Sequence, residues 1–386
     1  MCRRDAAVWL LAAYLAAGAL AAVASGIWNA WALDIDIDMQ ARVAEYAGFR
    51  EGVYPNGHVD TWPDGAKPAY SVYPPYALPM FVPFFEPGGK VQGRVVVESL
   101  SLIGLFLIGI LGRRTLHPHG VAWGAVGALA AAGITLNRSV FSLGQFSAIC
   151  AGGIALQIGF LERNRPLLAG ASWAAAMLKP QIGLPFAALF LFNGHWRGLA
   201  CGITILAVLS LAALWWTDVS PAALADHWLF RMGMNFAAES DGFGPADVAE
   251  WMGWDHRVVQ YMALAALVGV VAALAVVMRR DIRVRSLLPV AAICAVLGRV
   301  LFYHRSCDQV MLFPLLLTCL SQALTAPRWH TIAVATVVAA ALWIPYRLQE
   351  FLPGYEVVQA STWIAAGAVV CVVAMRLRDW PRGESA

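Results

Sequence analysis

Three aspartates, Asp34, Asp36 and Asp38, stand two residues apart directly after an apolar run that begins at Ala6. Carboxylates are costly near lipid, so three of them at the mouth of a membrane span call for a role. In an extended segment all three side chains point the same way; in a helix Asp34 and Asp38 share a face and Asp36 lies nearly opposite. Partial desolvation at a lipid–water boundary makes a carboxylate a stronger base, suited to taking a proton from a hydroxyl held there. An alternating run of acids can also offer oxygens to Ca²⁺ or Mg²⁺. The isoleucines between these acids and the lack of an EF-hand Gly and Glu weigh against that use. Asp38 has a structural use as well, as the N-cap of the segment that follows.

Cations that could answer an anion lie far along the chain. Lys179 and Gln181 sit in "LKPQIGLP" (178–185), between two short apolar pieces, and Asn137, Arg138 and Gln145 flank the apolar runs before it. A lysine at membrane depth either snorkels to the surface or meets a charged group such as a phosphate. "GRVLFYHRSCDQVMLFP" (298–314) gathers Arg299, His304, Arg305 and Asp308. Two arginines and a histidine aimed at one place suit a phosphate diester; alternatively Arg299 pairs with an aspartate to hold helices together. Tyr54 and Tyr73 belong to a Pro- and aromatic-rich stretch whose rings serve as interface anchors or stack on a sugar or prenyl chain. Asp226, His227, Arg231, Asp241, Asp255 and His256 match no metal spacing and are assigned only to the mouth of the site.

The elements that must position these residues are membrane helices. Of 386 residues, 60% are hydrophobic and 13% charged, against about 25% charged in a soluble domain. Apolar windows of roughly 17–20 residues, each enough to cross the hydrocarbon core, predict spans near 7–29, 94–112, 120–136, 146–161, 198–216, 258–278, 286–302, 309–325, 331–345 and 361–376. Pieces 167–178 and 182–193, broken by Pro180 and Pro185, form a hairpin or a broken pair. The fold class is an all-α polytopic membrane protein of about ten to twelve transmembrane helices, a single integral membrane domain over 1–386. Arg3 and Arg4 precede an apolar run too long for a typical signal sequence, so it reads as a retained first helix. Five of the seven cysteines lie in apolar runs and no CxxC occurs, which supports neither a zinc site nor a disulfide.

Charge sets the orientation. Arg3/Arg4, Arg113/Arg114, Arg163/Arg165, Arg197, Arg279 to Arg285, Arg328 and Arg376 to Arg382 all fall in alternate connectors, and they make up more than half of the chain's 27 Lys and Arg. The positive-inside rule makes that face cytoplasmic, with both termini on it. The opposite, extracytoplasmic face of the plasma (inner) membrane then carries two long loops, 30–93 and 217–257. In the first, Met39 to Arg50 reads as an amphipathic helix, with Val43, Tyr46, Ala47 and Phe49 against polar Gln40, Arg42, Glu45 and Arg50. A net charge of +3 without a basic tract gives no reason to expect nucleic acid as a partner; the partner is the lipid bilayer.

These pieces, in this order, resemble glycosyltransferase family 87 of the GT-C superfamily. The likeness rests on an aspartate after the first span, a helix ending near Gly52 and Tyr54, and "Y-x-x-Y-P-P" at Tyr70–Pro75. "S-x-G-Q" at Ser142–Gln145, "L-K-P-Q" at Leu178–Gln181 and, more loosely, "S-C-D" at Ser306–Asp308 complete it. It covers about residues 30–315. Asp38 to Gly52 matches the family spacing best, but Gln40, Ala41 and Arg42 stand where tyrosines are common, which leaves the choice of aspartate open. The resemblance implies a GT-C-type bundle that uses a polyprenyl-phosphate sugar, often mannose, on a glycolipid or glycan acceptor, inverting the anomeric centre without a metal or other cofactor. It implies Asp38 or Asp36 as base, with Lys179, Arg299, His304 and Arg305 stabilising the departing phosphate. Two rival readings are a transporter or flippase, which predicts inverted repeats and midplane polar groups, and a non-catalytic subunit of an envelope complex.

Overall fold

The computed structural model describes residues 3–33, 37–54, 73–86, 89–192, 194–224, 287–302, 305–344 and 361–368, with short pieces between 252 and 269. The described residues contain helices and no strand, and the protein is an all-α polytopic membrane protein. In chain order the helices are α1 (Arg3–Ala32), α2 (Ile37–Arg50), α3 (Ala77–Phe85), α4 (Gly89–Leu116), α5 (Val121–Ala130), α6 (Asn137–Leu143) and α7 (Ser147–Glu162). Then follow α8 (Pro166–Ala176), α9 (Pro180–Gly183), α10 (Ala188–Phe192), α11 (Trp196–Thr217), α12 (Leu288–Leu301), α13 (Phe313–Thr325) and α14 (Trp329–Trp343), with residues 361–368 also helical. Among the described residues, four segments are long and apolar enough to cross a membrane alone: Asp5–Ala32, Gly89–His119, Trp196–Thr217 and Cys307–Thr325. Helical residues stand at the place of each of the ten predicted spans; those of 258–278 and 361–376 are described only in part.

Burial separates the centre of the bundle from its rim. The most apolar stretch of Cys307–Thr325 is 89% buried, whereas those of α1 and α11 are 11% and 22% buried. α13 therefore lies inside the bundle, and α1 and α11 present Leu10, Leu20, Trp28, Leu211 and Trp215 outward, as lipid-facing helices do. Lipid tails are as apolar as Leu, so membrane helices gain their contact from close approach of small residues. A Cβ at Gly104 would stand 2.2 Å from the Ala148 carbonyl oxygen, which fixes α4 against α7. The same holds at 2.1 Å for Gly112 on Gly127 between α4 and α5, and for Gly170 on Gly198 between α8 and α11.

The segments 37–54 and 73–86 differ from their predicted packing in two ways. α2 does form over the stretch expected, and it ends where Gly52 takes φ +78° and the Val53 N–H reaches the Gly48 carbonyl at 2.9 Å. Its buried stripe, however, is Met39, Arg42, Glu45, Tyr46 and Phe49, while Ala47 is exposed and Val43 half-buried. Arg42 and Glu45 go inside because they pair with each other, 2.8 Å apart one helical turn on, and Arg42 also lies 4.4 Å from the centre of the Tyr73 ring. The aromatics are packing residues rather than surface anchors: Tyr54 and Tyr73 are buried, and Tyr73, Phe81, Phe84 and Phe146 form one edge-on and stacked cluster. Of the loop 217–257, Asp226, His227, Arg231, Asp241 and His256 lie outside the described residues, as do Asp34, Asp36 and His304.

Candidate active site

Local rules place each functional side chain. A residue before proline is pushed out of the helical region, and Pro180 cannot continue α8. Lys179 accordingly takes φ −116°, ψ 96° between α8 and α9, and its side chain leaves the helix axis and enters the bundle. Gly144 closes α6 in the left-handed region at φ +67°. Any Cβ there would also strike Met39 of α2, whose Cε would be 2.6 Å away. That contact brings α2 over the α6–α7 corner, and Phe146, wedged among Phe81, Phe84 and Tyr73, holds Gln145 beside it. Asp38 lies in the first turn of α2. Arg305, extended at φ −84°, ψ 163°, opens the tight 3₁₀ turn Ser306–Leu312 that leads into α13; its backbone N–H reaches the Asp308 carboxylate at 3.3 Å.

These side chains join into one hydrogen-bonded chain drawn from five elements. Arg305 Nη1 donates to both oxygens of Asp38, at 3.1 and 2.8 Å. Gln145 Nε2 donates to Asp38 Oδ2. Lys179 Nζ donates to Gln145 Oε1 at 2.7 Å, Ser147 Oγ at 3.0 Å and Asp308 Oδ1 at 2.7 Å. Ser147 donates in turn to Asp308. Two carboxylates and two cations balance, and they differ in access. The Lys179 and Asp308 side chains are 5% and 1% exposed, against 30% and 20% for Arg305 and Asp38. The Asp38–Arg305 end of the chain is therefore the accessible one. The buried Lys179–Asp308 end is already satisfied, since an ammonium has three N–H donors and all three are used.

Around this chain stands a second buried pair, Arg42 and Glu45, with Tyr73 between the two groups. Burial pushes the Tyr73 phenol up to about 12, opposed by the nearby Arg42 and Lys179 charges. Tyr73 therefore remains a neutral phenol at any physiological pH.

The other predicted residues take varied places. Arg299 is buried in the last turn of α12, where Gly298 packs on Met311 and Pro185, so it lies in the layer beside the Lys179 break. Arg138 is exposed and turns to α1, where the Asn29 carboxamide oxygen, so oriented, accepts from its Nη2 at 2.7 Å. Gln181 is half-buried in α9, and the hydrogen bonds of the chain above do not include it among the described residues. Tyr54 is buried just beyond the end of α2. Lys179, expected to contact a phosphate, has its three donors on Asp308, Ser147 and Gln145 in this structure.

Sequence reasoning passed over Ser147, Arg42 and Glu45, and also Arg94 with Glu98 on α4. Arg94 Nη1 donates to the Ala30 carbonyl at 2.5 Å, and Trp31 Nε1 donates to Glu98 at 3.1 Å. A cation at the last turn of α1 suits its negative end. Arg42 and Glu45 share a buried stripe with Met39 and Phe49, but as charged residues they count toward the polar face in any periodicity and gave no signal. Among the described residues no three His, Cys, Asp or Glu side chains converge as a metal-ligand set.

The family model described as "Glycosyltransferase family 87" matches residues 72–303, more than half of the chain. The chain belongs to glycosyltransferase family 87. The matched segment includes Tyr73, Gln145, Lys179 and Arg299; Asp38, Arg305 and Asp308 lie outside it and are tied to it by the hydrogen bonds above. No curated protein and no solved structure matches the chain. As a family 87 glycosyltransferase the protein is a membrane transferase of sugar residues. Chemically, its cluster offers a partly exposed carboxylate and, in contact with it, a guanidinium able to turn to an arriving anion.

Proposed function

We propose that this glycosyltransferase moves a hexose, mannose by the family resemblance, from a polyprenyl-phosphate donor to a hydroxyl of a glycolipid or glycan acceptor. Asp38 takes the proton of the acceptor hydroxyl, and its oxygen attacks the anomeric carbon from the face opposite the phosphate. The new C–O bond forms as the bond to the phosphate oxygen breaks, the configuration inverts, and polyprenyl phosphate leaves as a dianion. No step calls for a metal. Arg305 stabilises the charge that develops on the phosphate, since a guanidinium pairs with a phosphate in the same forked manner as with a carboxylate. The observation that carries this reading is the contact of Asp38 with Arg305 at the accessible edge of an otherwise buried ion cluster.

The reaction belongs, in this reading, on the extracytoplasmic face of the plasma (inner) membrane, in a multi-pass chain whose two termini are cytoplasmic. Two features support it. The site is assembled at one end of the bundle from Asp38, 144–147, 177–180, Arg305 and Asp308, and the arginine-bearing connectors at 113–114, 163–165, 197 and 328 alternate with them. Membranes carrying the protein, given radiolabelled polyprenyl-phosphate mannose, transfer label to an endogenous lipid or glycan. Asp38→Asn lowers that rate by about 10²–10⁴-fold, while Asp36→Asn is the comparison that separates the two acids. Full activity of Asp38→Asn, or no transfer by the unmutated protein, overturns the proposal.

A further inference from the structure

Resting on the transfer reaction above, we propose that Lys179 is a positioning residue: it fixes the Gln145 amide as a donor to Asp38, and it does not itself bind the donor phosphate. The argument starts from the two neighbours of Gln145. An ammonium can only donate and a carboxylate can only accept. With Lys179 Nζ 2.7 Å from Oε1 and Asp38 against Nε2, the amide has one allowed orientation. Gln145 is buried, so water does not compete for either end.

Lys179 is in turn held from the other side. Ser147 and Asp308 take its remaining hydrogens, and Asp308 is anchored by the Arg305 backbone N–H and by Ser147. A buried ion pair with all its donors used, at 5% and 1% exposure, has nothing left to offer a phosphate. What it does supply is direction, passed through one amide to Asp38, the more exposed of the two carboxylates in this hydrogen-bonded chain. Without the cation the amide is free to turn over and present its oxygen to Asp38, acceptor against acceptor, which moves the carboxylate from its place. Among the described residues, the charged and titratable groups around Asp38 are Arg305, in contact with it, and Tyr73 and Cys307 near it, with Arg42, Glu45 and Lys179 about Tyr73 and Asp308 behind Lys179.

Kinetics in membranes with the polyprenyl-phosphate sugar test this. Absence of transfer by the unmutated protein would overturn the transfer reaction itself, and the variants address the positioning role. Lys179→Met with Asp308→Asn removes both buried charges together, so neither is left unpaired. The expected result is a fall in kcat of about ten- to a hundredfold, with KM for the donor unchanged. A raised donor KM with kcat retained would mean that Lys179 binds phosphate, and unchanged kinetics would mean that it does neither; either result overturns the proposal. Gln145→Glu gives a second reading that does not depend on the double variant. A carboxylate there still accepts from Lys179 but faces Asp38 with a like charge, and two carboxylates in contact share a proton. The acid limb of kcat then moves to higher pH; an acid limb that stays in place contradicts the contact between Gln145 and Asp38.

Discussion

At the scale of single residues, the site depends on which groups are left accessible. Asp38 and Arg305 are both partly open, and each is the other's partner, so an arriving phosphate competes with the carboxylate for the guanidinium. Tyr73 lies close by and cannot serve as the base, because burial keeps its phenol protonated. Its folded pKa, about 12, lies above the ordinary 10.0. The phenol thus favours the folded state fully below pH 10, and that contribution is lost as pH rises from 10 toward 12. Tyr73→Phe should flatten the alkaline fall of the melting temperature in detergent and leave the pH–rate profile near neutrality unchanged. A shift of the neutral profile in this variant would assign Tyr73 a role in proton transfer.

Elements carry the geometry that the residues need. Proline at 180 forces Lys179 into the extended region and starts α9, so the lysine projects into the bundle instead of continuing the surface of α8. Pro180→Ala lets α8 run on through Lys179. A displacement of 1 Å or so in such a site can cost about a hundredfold, and the same order of loss in kcat is expected, with the protein still inserted and folded. Activity retained in Pro180→Ala would show that the break does not set the lysine. The motifs legible in the sequence have their reasons here: the Gly of "S-x-G-Q" is required by a left-handed turn and by Met39 above it, and the Pro of "L-K-P-Q" by the break. The face of α2 was not legible. Arg42 and Glu45 count as polar in any periodicity, yet they are buried, because each neutralises the other and an aromatic ring covers the cation.

For the whole molecule, the question is which side of the membrane the assembled ends occupy. Glu51, exposed just after α2, belongs to the same end as Asp38, and His117, exposed between α4 and α5, to the opposite one. With the native cysteines replaced by alanine, Glu51→Cys should react with a membrane-impermeant maleimide in intact cells. His117→Cys should react only after the membrane is opened. The reverse pattern would place the chemistry on the cytoplasmic side.

By itself the sequence determined the class and the family of the molecule, and it set the expectation of where its chemistry lies. Low charge and long apolar windows require helices in lipid, since no other open structure satisfies its backbone there, and the concentration of arginines in alternate connectors assigns most of the acids and the broken pair to the other end. Only the tertiary structure decided who touches whom. Asp38 and Arg305 are 267 positions apart, and Lys179 and Asp308 are 129 apart; no local pattern encodes such pairings. They follow from how the α6–α7 corner, the α8–α9 break and the turn before α13 meet. That meeting also settled that the lysine is enclosed and the carboxylate of α2 is within reach, because in a low-dielectric interior each buried charge must find its counter-charge before it can serve anything else.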